Sequence, residues 1–214
     1  MNAKKLSFLL LILVAVACTN RSTSSEQDEM RHWNNVLQQI NALLLENKAR
    51  QTLDLAKQTL PEILESAEKN GTTDTLIYYA RKIFNACGNN YINTKQYKDG
   101  IDYMDSIGNH PLIREHCPHE LLSFKAGLNQ LYGNNPEAVR LAEDYLQLPV
   151  CTSANDFIRQ AEIISGVYMY SGNNLPKAIQ ILEKAIDVYR KGGNFPNMLR
   201  IMSRLGIYYH LSGE

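Results

Sequence analysis

Four glycines limit what this chain can fold into. Gly88, Gly127, Gly166 and Gly206 recur at steps of 39, 39 and 40 residues, each inside an apolar stretch with helical spacing. A glycine within a helix costs up to about 1 kcal/mol against alanine, so a helix that keeps one has a packing reason. Around the first, Phe84, Cys87, Gly88 and Tyr91 fall at i, i+3, i+4 and i+7 and share one face. The last, Met202-x-x-Leu205-Gly206-x-x-Tyr209, repeats that spacing. Between them, the run Gly127 to Val139 aligns with Gly166 to Ile179 once one extra residue is allowed in the turn. A fixed period with helix–turn–helix content predicts an array of stacked helix pairs.

Composition agrees with an ordinary folded chain. Apolar residues make up 44% and charged residues 21%, and Lys+Arg and Asp+Glu both total 22. With no net charge and no Lys/Arg run, this segment has no basic field for nucleic acid.

Met1 to Ala17 reads as a targeting segment (1–17). Lys4 and Lys5 precede an apolar run of 12 residues, Leu6 to Ala17, too short to cross a bilayer. With Ala15-Val16-Ala17 followed at once by Cys18, it resembles a bacterial lipoprotein signal. That resemblance implies that Cys18 is the lipid attachment site, anchoring the mature protein to the bacterial cell envelope, facing the periplasm or the exterior. Leucine is usual in that pattern where Ala15 stands, and ordinary signal-peptidase cleavage after Ala-Val-Ala is the alternative reading. Residues 18–29 are polar and serine-rich, a tether to the folded part.

Helical periodicity then runs from Met30 to the end. The first helix, Met30 to Glu46, carries Trp33, Val36, Leu37, Ile40, Leu43 and Leu44 on one face. The second starts at Ala49, and Pro61 inside it is expected to kink or end it. Thr72 or Thr73 is placed to cap the helix that holds Gly88. Gly108 to Pro118 is a longer connection, and Ser153 with Asp156 has capping-box spacing. No segment reads as a strand. The final helix carries Met202, Leu205, Ile207, Tyr208, Tyr209 and Leu211, a face as apolar as those that earlier helices bury, and no partner helix follows. The domain of residues 30–214 is therefore expected to be incomplete at its C-terminal end.

These residues resemble the tetratricopeptide repeat. Phe84, Gly88, Tyr91, Tyr97, Ile101 and Met104 match one unit. Trp33, Ala49, Leu53, Ala56 and Pro61 match the first, and Met202, Leu205, Gly206, Tyr209 and Gly213 match the start of the last. Gly100 stands where alanine is usual, and the period is longer than the family's 34 residues. The resemblance implies an all-α fold, a right-handed α-α superhelix of about four helix pairs plus a terminal helix. It also implies a concave groove, lined by the first helices, that binds a protein or peptide. By the family's geometry the groove-facing candidates are Lys82, Asn85, Asn89, Asn93, Gln160, Tyr170, Arg200, Ser203 and His210. Lys82, Asn85 and Asn89 resemble the clamp that some members close on a peptide carboxylate.

Other chemistry is sparse. His110, His116, Cys117, His119 and Glu120 crowd one connection, but their spacing fits no closed metal site, and Ser123 stands where a metalloprotease helix needs its second histidine. Cys117 and Cys151 lie in consecutive connections on one edge of the array. A disulfide between them is conceivable if their Cα atoms come within about 7 Å. Cys87 reads as a small buried side chain. Phosphate loops and nucleophile elbows are missing, so the expectation is no enzyme, no cofactor and no metal. The function expected is that of an envelope-anchored peptide-interaction module, the sensory N-terminal part of a signal-transduction protein. The alternative is a lipoprotein component of a nutrient-capture or envelope-assembly complex.

Overall fold

The computed structural model describes residues 27–149, 154–192 and 195–213. The leader with Cys18, nearly all of the tether, and Cys151 with Ser153 lie outside the described residues. What is described is helical throughout: α1 (27–45), α2 (Ala49–Asn70), α3 (Asp74–Asn93), α4 (Tyr97–Gly108), α5 (Pro111–His116), α6 (Pro118–Tyr132), α7 (Asn135–Gln147), α8 (Ala154–Tyr170), α9 (Leu175–Gly192) and α10 (Phe195–Ser212).

Among the described residues, four junctions are tight helix–turn–helix corners built alike. One residue in each takes a left-handed backbone: Asn47 (φ 55°), Lys95 (φ 58°), Gly133 (φ 95°) and Asn173 (φ 43°). The next N–H then reaches back to a carbonyl in the last turn of the helix, which satisfies an otherwise orphaned acceptor. The bonds are Lys48 to Leu43 (2.9 Å), Gln96 to Tyr91 (3.1 Å), Asn134 to Asn129 (2.9 Å) and Asn174 to Tyr168 (2.9 Å). The α8–α9 corner reaches back one residue further than the others, which accommodates the extra residue seen in the sequence alignment. The helix pairs are thus α1–α2, α3–α4, α6–α7 and α8–α9, with α10 after them.

Local chemistry accounts for several boundaries. Thr73 caps α3, its Oγ1 accepting from the Leu76 N–H at 3.2 Å. Pro61 does not end α2: the 22-residue helix continues past it to Asn70, with Pro61 exposed to solvent. The long connection after α4 holds a helix of its own, α5, capped by His110 Nδ1, which accepts from the Leu112 N–H at 3.2 Å.

Packing explains the first two glycines of the series. A Cβ placed on Gly88 would lie 2.4–2.5 Å from ring atoms of Phe124, so the α6 phenylalanine occupies the space that a larger α3 residue would need. A Cβ on Gly127 would lie 2.7 Å from Ile163 Cγ2 of α8. Each glycine is therefore a hole filled by a knob from the next first helix. Two apolar clusters result. One runs from Trp33 through Phe84 and Tyr91 to Phe124 and Leu128, the other from Ala126 through Ile164 and Tyr168 to Leu205 and Tyr208. Helix α6 contributes to both.

The last helix departs from expectation. Ile201, Leu205 and Tyr208 are buried, and the Tyr209 hydroxyl donates to Glu183 of α9. Of the residues expected to be uncovered, Met202, Ile207 and Leu211 are exposed, and Leu199 joins them, each 44–57% exposed.

Candidate functional site

The inner helices α3, α6, α8 and α10 converge on one open recess of about 210 Å³. Ile92 comes from α3; Gly127, Gln130 and Leu131 from α6; Arg159, Glu162, Ile163, Gly166 and Tyr170 from α8; and Arg204 from α10. The floor is apolar and glycine-rich, and the rim is polar.

Glu162 organises the rim. Its side chain is 2% exposed, a costly place for a carboxylate unless cations surround it. Arg200 Nε lies 2.7 Å from Oε1, and Arg159 Nη1 lies 3.8 Å from Oε2. Arg204 donates to the Glu162 backbone carbonyl at 2.9 Å. Oε2 itself accepts no hydrogen bond among the described residues. Arg159 reaches past α6 to α3, where its Nε donates to Asn89 Oδ1 at 2.8 Å. Burial draws the Arg159 guanidinium below its usual pKa, Glu162 works the other way, and Arg200 and Arg204 add to the fall. Three guanidinium groups stand against one carboxylate here, although the whole chain is neutral.

A second buried carboxylate ties the neighbouring repeats together. Glu120, 3% exposed at its side chain, pairs with Arg81 Nε of α3 at 3.3 Å, and Arg81 also donates to the His116 carbonyl. Arg81, Glu120 and Arg159 each stand seven residues before one of the first three glycines of the series, so that register alternates in charge from repeat to repeat.

The residues singled out from the sequence divide among several places. Tyr170, 70% exposed, lines the recess, and Arg200 and Asn89 hold its rim charges. Asn85 is half-buried, its carbonyl accepting from Asn89 Nδ2 at 2.9 Å, and Lys82 Nζ lies 5.7 Å from the Tyr78 ring. Ser203 and His210 are exposed on α10. Asn93 is exposed but borders a separate opening beside Asn47, Lys48 and Asn90. Gln160 is not in the groove. It is 2% exposed, and its Oε1 accepts from the Tyr145 hydroxyl of α7 at 3.2 Å. The groove residue at that turn is its neighbour Arg159. Glu162 and Arg204 were missed as well, and the charged position seven before each of the first three glycines was the available signal for Arg159.

The histidine- and cysteine-rich connection comes apart into separate roles. His110 Nε2 lies 3.1 Å from Glu68, the His119 Nε2–H donates to the Pro149 carbonyl at 2.7 Å, Glu120 takes Arg81, and Cys117 is buried. No group of three or more His, Cys, Asp or Glu side chains gathers among the described residues. Cys87 is buried beside Tyr103, and burial pushes its thiol up to about 12.

No family model matches this chain, and no curated protein does. Among solved structures it is similar to a kinesin light chain from Podosopora anserina with nearly identical TPR-like repeats. The TM-score is 0.52, the identity 12%, and the match covers 84% of this chain and 86% of that one. A form of the same protein with one residue substituted gives a TM-score of 0.53 with the same identity and coverage. At that identity the likeness speaks to the fold: this is an all-α solenoid of TPR-like helix pairs.

Proposed function

We propose that the chain is a protein-interaction module that holds a peptide segment of a partner along the inner faces of α3, α6, α8 and α10. The observation that carries this is the recess itself, with an apolar floor at Gly127, Ile163 and Gly166, a rim of Tyr170, Gln130, Arg159 and Arg204, and Arg200 bound to the rim carboxylate Glu162. Tyrosine and arginine beside a desolvated apolar pocket are the residues that most often anchor an interface. The role is one of binding, with no reaction of its own. Panning a random decapeptide library against the full chain in mild detergent is the test. A set of related peptides should be enriched over the heat-unfolded chain, and failure to enrich any set counts against the reading.

The finer reading places this module at the bacterial cell envelope, lipid-anchored through Cys18, as the sensory part of a signal-transduction protein. The charged start, short apolar run and small residues before Cys18 support the anchor. Among the described residues no helix is long and apolar enough to cross a membrane. Labelled palmitate should enter the wild type and not Cys18→Ala; equal labelling, or none in either, would end the idea.

A further inference from the structure

The series of knobs and holes is interrupted at one place. Phe124 stands three residues before Gly127 and fills the hole at Gly88; Ile163 stands three before Gly166 and fills the hole at Gly127. The residue three before Gly206 is Ser203, an exposed side chain on α10. It does not fill the hole at Gly166, where a Cβ would meet only Gln130 Oε1, at 3.8 Å. The fold has the socket that its sister repeats close from within, and here the socket opens into the recess.

The rim says what an occupant should carry. Arg159 and Arg200 share the carboxylate of Glu162, and Arg204 sits on the backbone carbonyl of the same residue, which among the described residues leaves two of the three positive charges without a carboxylate of their own. Arg200 spends one N–H on Glu162 and Arg204 one on a carbonyl. Planar guanidinium groups with remaining donors match a carboxylate in both charge and geometry. Glu162 Oε2 is buried and accepts no hydrogen bond among the described residues, so the arginines, not this oxygen, are the groups the rim offers to a ligand.

We propose that the socket at Gly166 receives an aliphatic side chain of a partner peptide, with a neighbouring Asp or Glu of that peptide held by Arg200 and Arg204. This rests on the interaction reading above and specifies its ligand. The peptide supplies the knob that Ser203 does not.

Decapeptides enriched from the random library, resynthesised with a fluorescent label, give the test by anisotropy on the full chain. The enriched set should carry Asp or Glu next to Ile, Leu or Val. Arg200→Gln should weaken binding about tenfold and flatten its dependence on salt. Ser203→Ile restores the internal knob, so it should raise the unfolding temperature while lowering affinity at least about tenfold. Gly166→Leu closes the same socket from its floor and should also lose the peptide, which keeps the test open if Ser203→Ile folds poorly. Enriched peptides without acidic residues, or full binding by both socket-filling variants, would overturn the proposal and leave the interaction reading standing. Absence of any enriched peptide would overturn both.

Discussion

At the residue scale, four glycines in one register have different environments, and the difference predicts opposite outcomes. Gly88→Ala forces a Cβ into the Phe124 ring and should cost on the order of 1–3 kcal/mol. Gly206→Ala meets no neighbour within 4 Å and should stabilise α10 by up to about 1 kcal/mol. Urea unfolding of the two variants checks the sign of each. Cys87 gives a second residue-scale prediction. Its thiol, buried and pushed up to about 12, stays protonated at pH 8, where a thiolate would be needed for reaction. Mass spectrometry after treatment with a thiol reagent at pH 8 should find Cys87 unlabelled in the folded chain and labelled in urea; prompt labelling of the folded chain would contradict the packing. One residue also marks how far sequence reading went. Gln160 and Arg159 are neighbours, and a slip of one position turns a helix face by about 100°. The glycine period located the helix but not which of the two faced the groove.

At the element scale, the helix pairs were legible because their causes are local. A Thr73 cap, left-handed turn residues such as Asn47 and Gly133, and apolar residues at helical spacing all act within a few positions. The recess was not legible, because it arises from a side chain that fails to reach. Nothing near Ser203 in the sequence announces that Gly166, one helix pair earlier, is left open. The crowd of His110, Cys117, His119 and Glu120 misled in the opposite way. Adjacent in sequence, these side chains face different neighbours in space: Glu68, the Pro149 carbonyl and Arg81. Helix α10 carries the prediction at this scale. Leu199, Met202, Ile207 and Leu211 are four large apolar side chains exposed on the outward half of the helix, and apolar surface of this kind favours association. Sedimentation of the full chain in mild detergent should show self-association that Leu199→Lys with Ile207→Lys relieves. A monomer for the parent chain would contradict it. Leu205 and Tyr208, already buried, are the wrong places for such a probe.

At the scale of the whole molecule, a chain with no net charge places three arginines around one glutamate, Glu162, on its inner surface, two at the carboxylate and one at the backbone carbonyl. Composition speaks for the chain as a sum, and a sum conceals how charge is distributed. The solenoid makes the distribution matter, because stacking repeats brings Asn89, Arg159 and Arg204 to one groove from positions more than 100 residues apart. The central claim is that this groove is the binding surface, and hydroxyl-radical footprinting tests it most directly. Tyr170, exposed in the recess, and Leu146, exposed on α7, are the two reporters. Adding a peptide enriched from the library should protect Tyr170 several-fold and leave Leu146 unchanged. Protection of Leu146 with Tyr170 still fully reactive would place the ligand elsewhere and contradict the account.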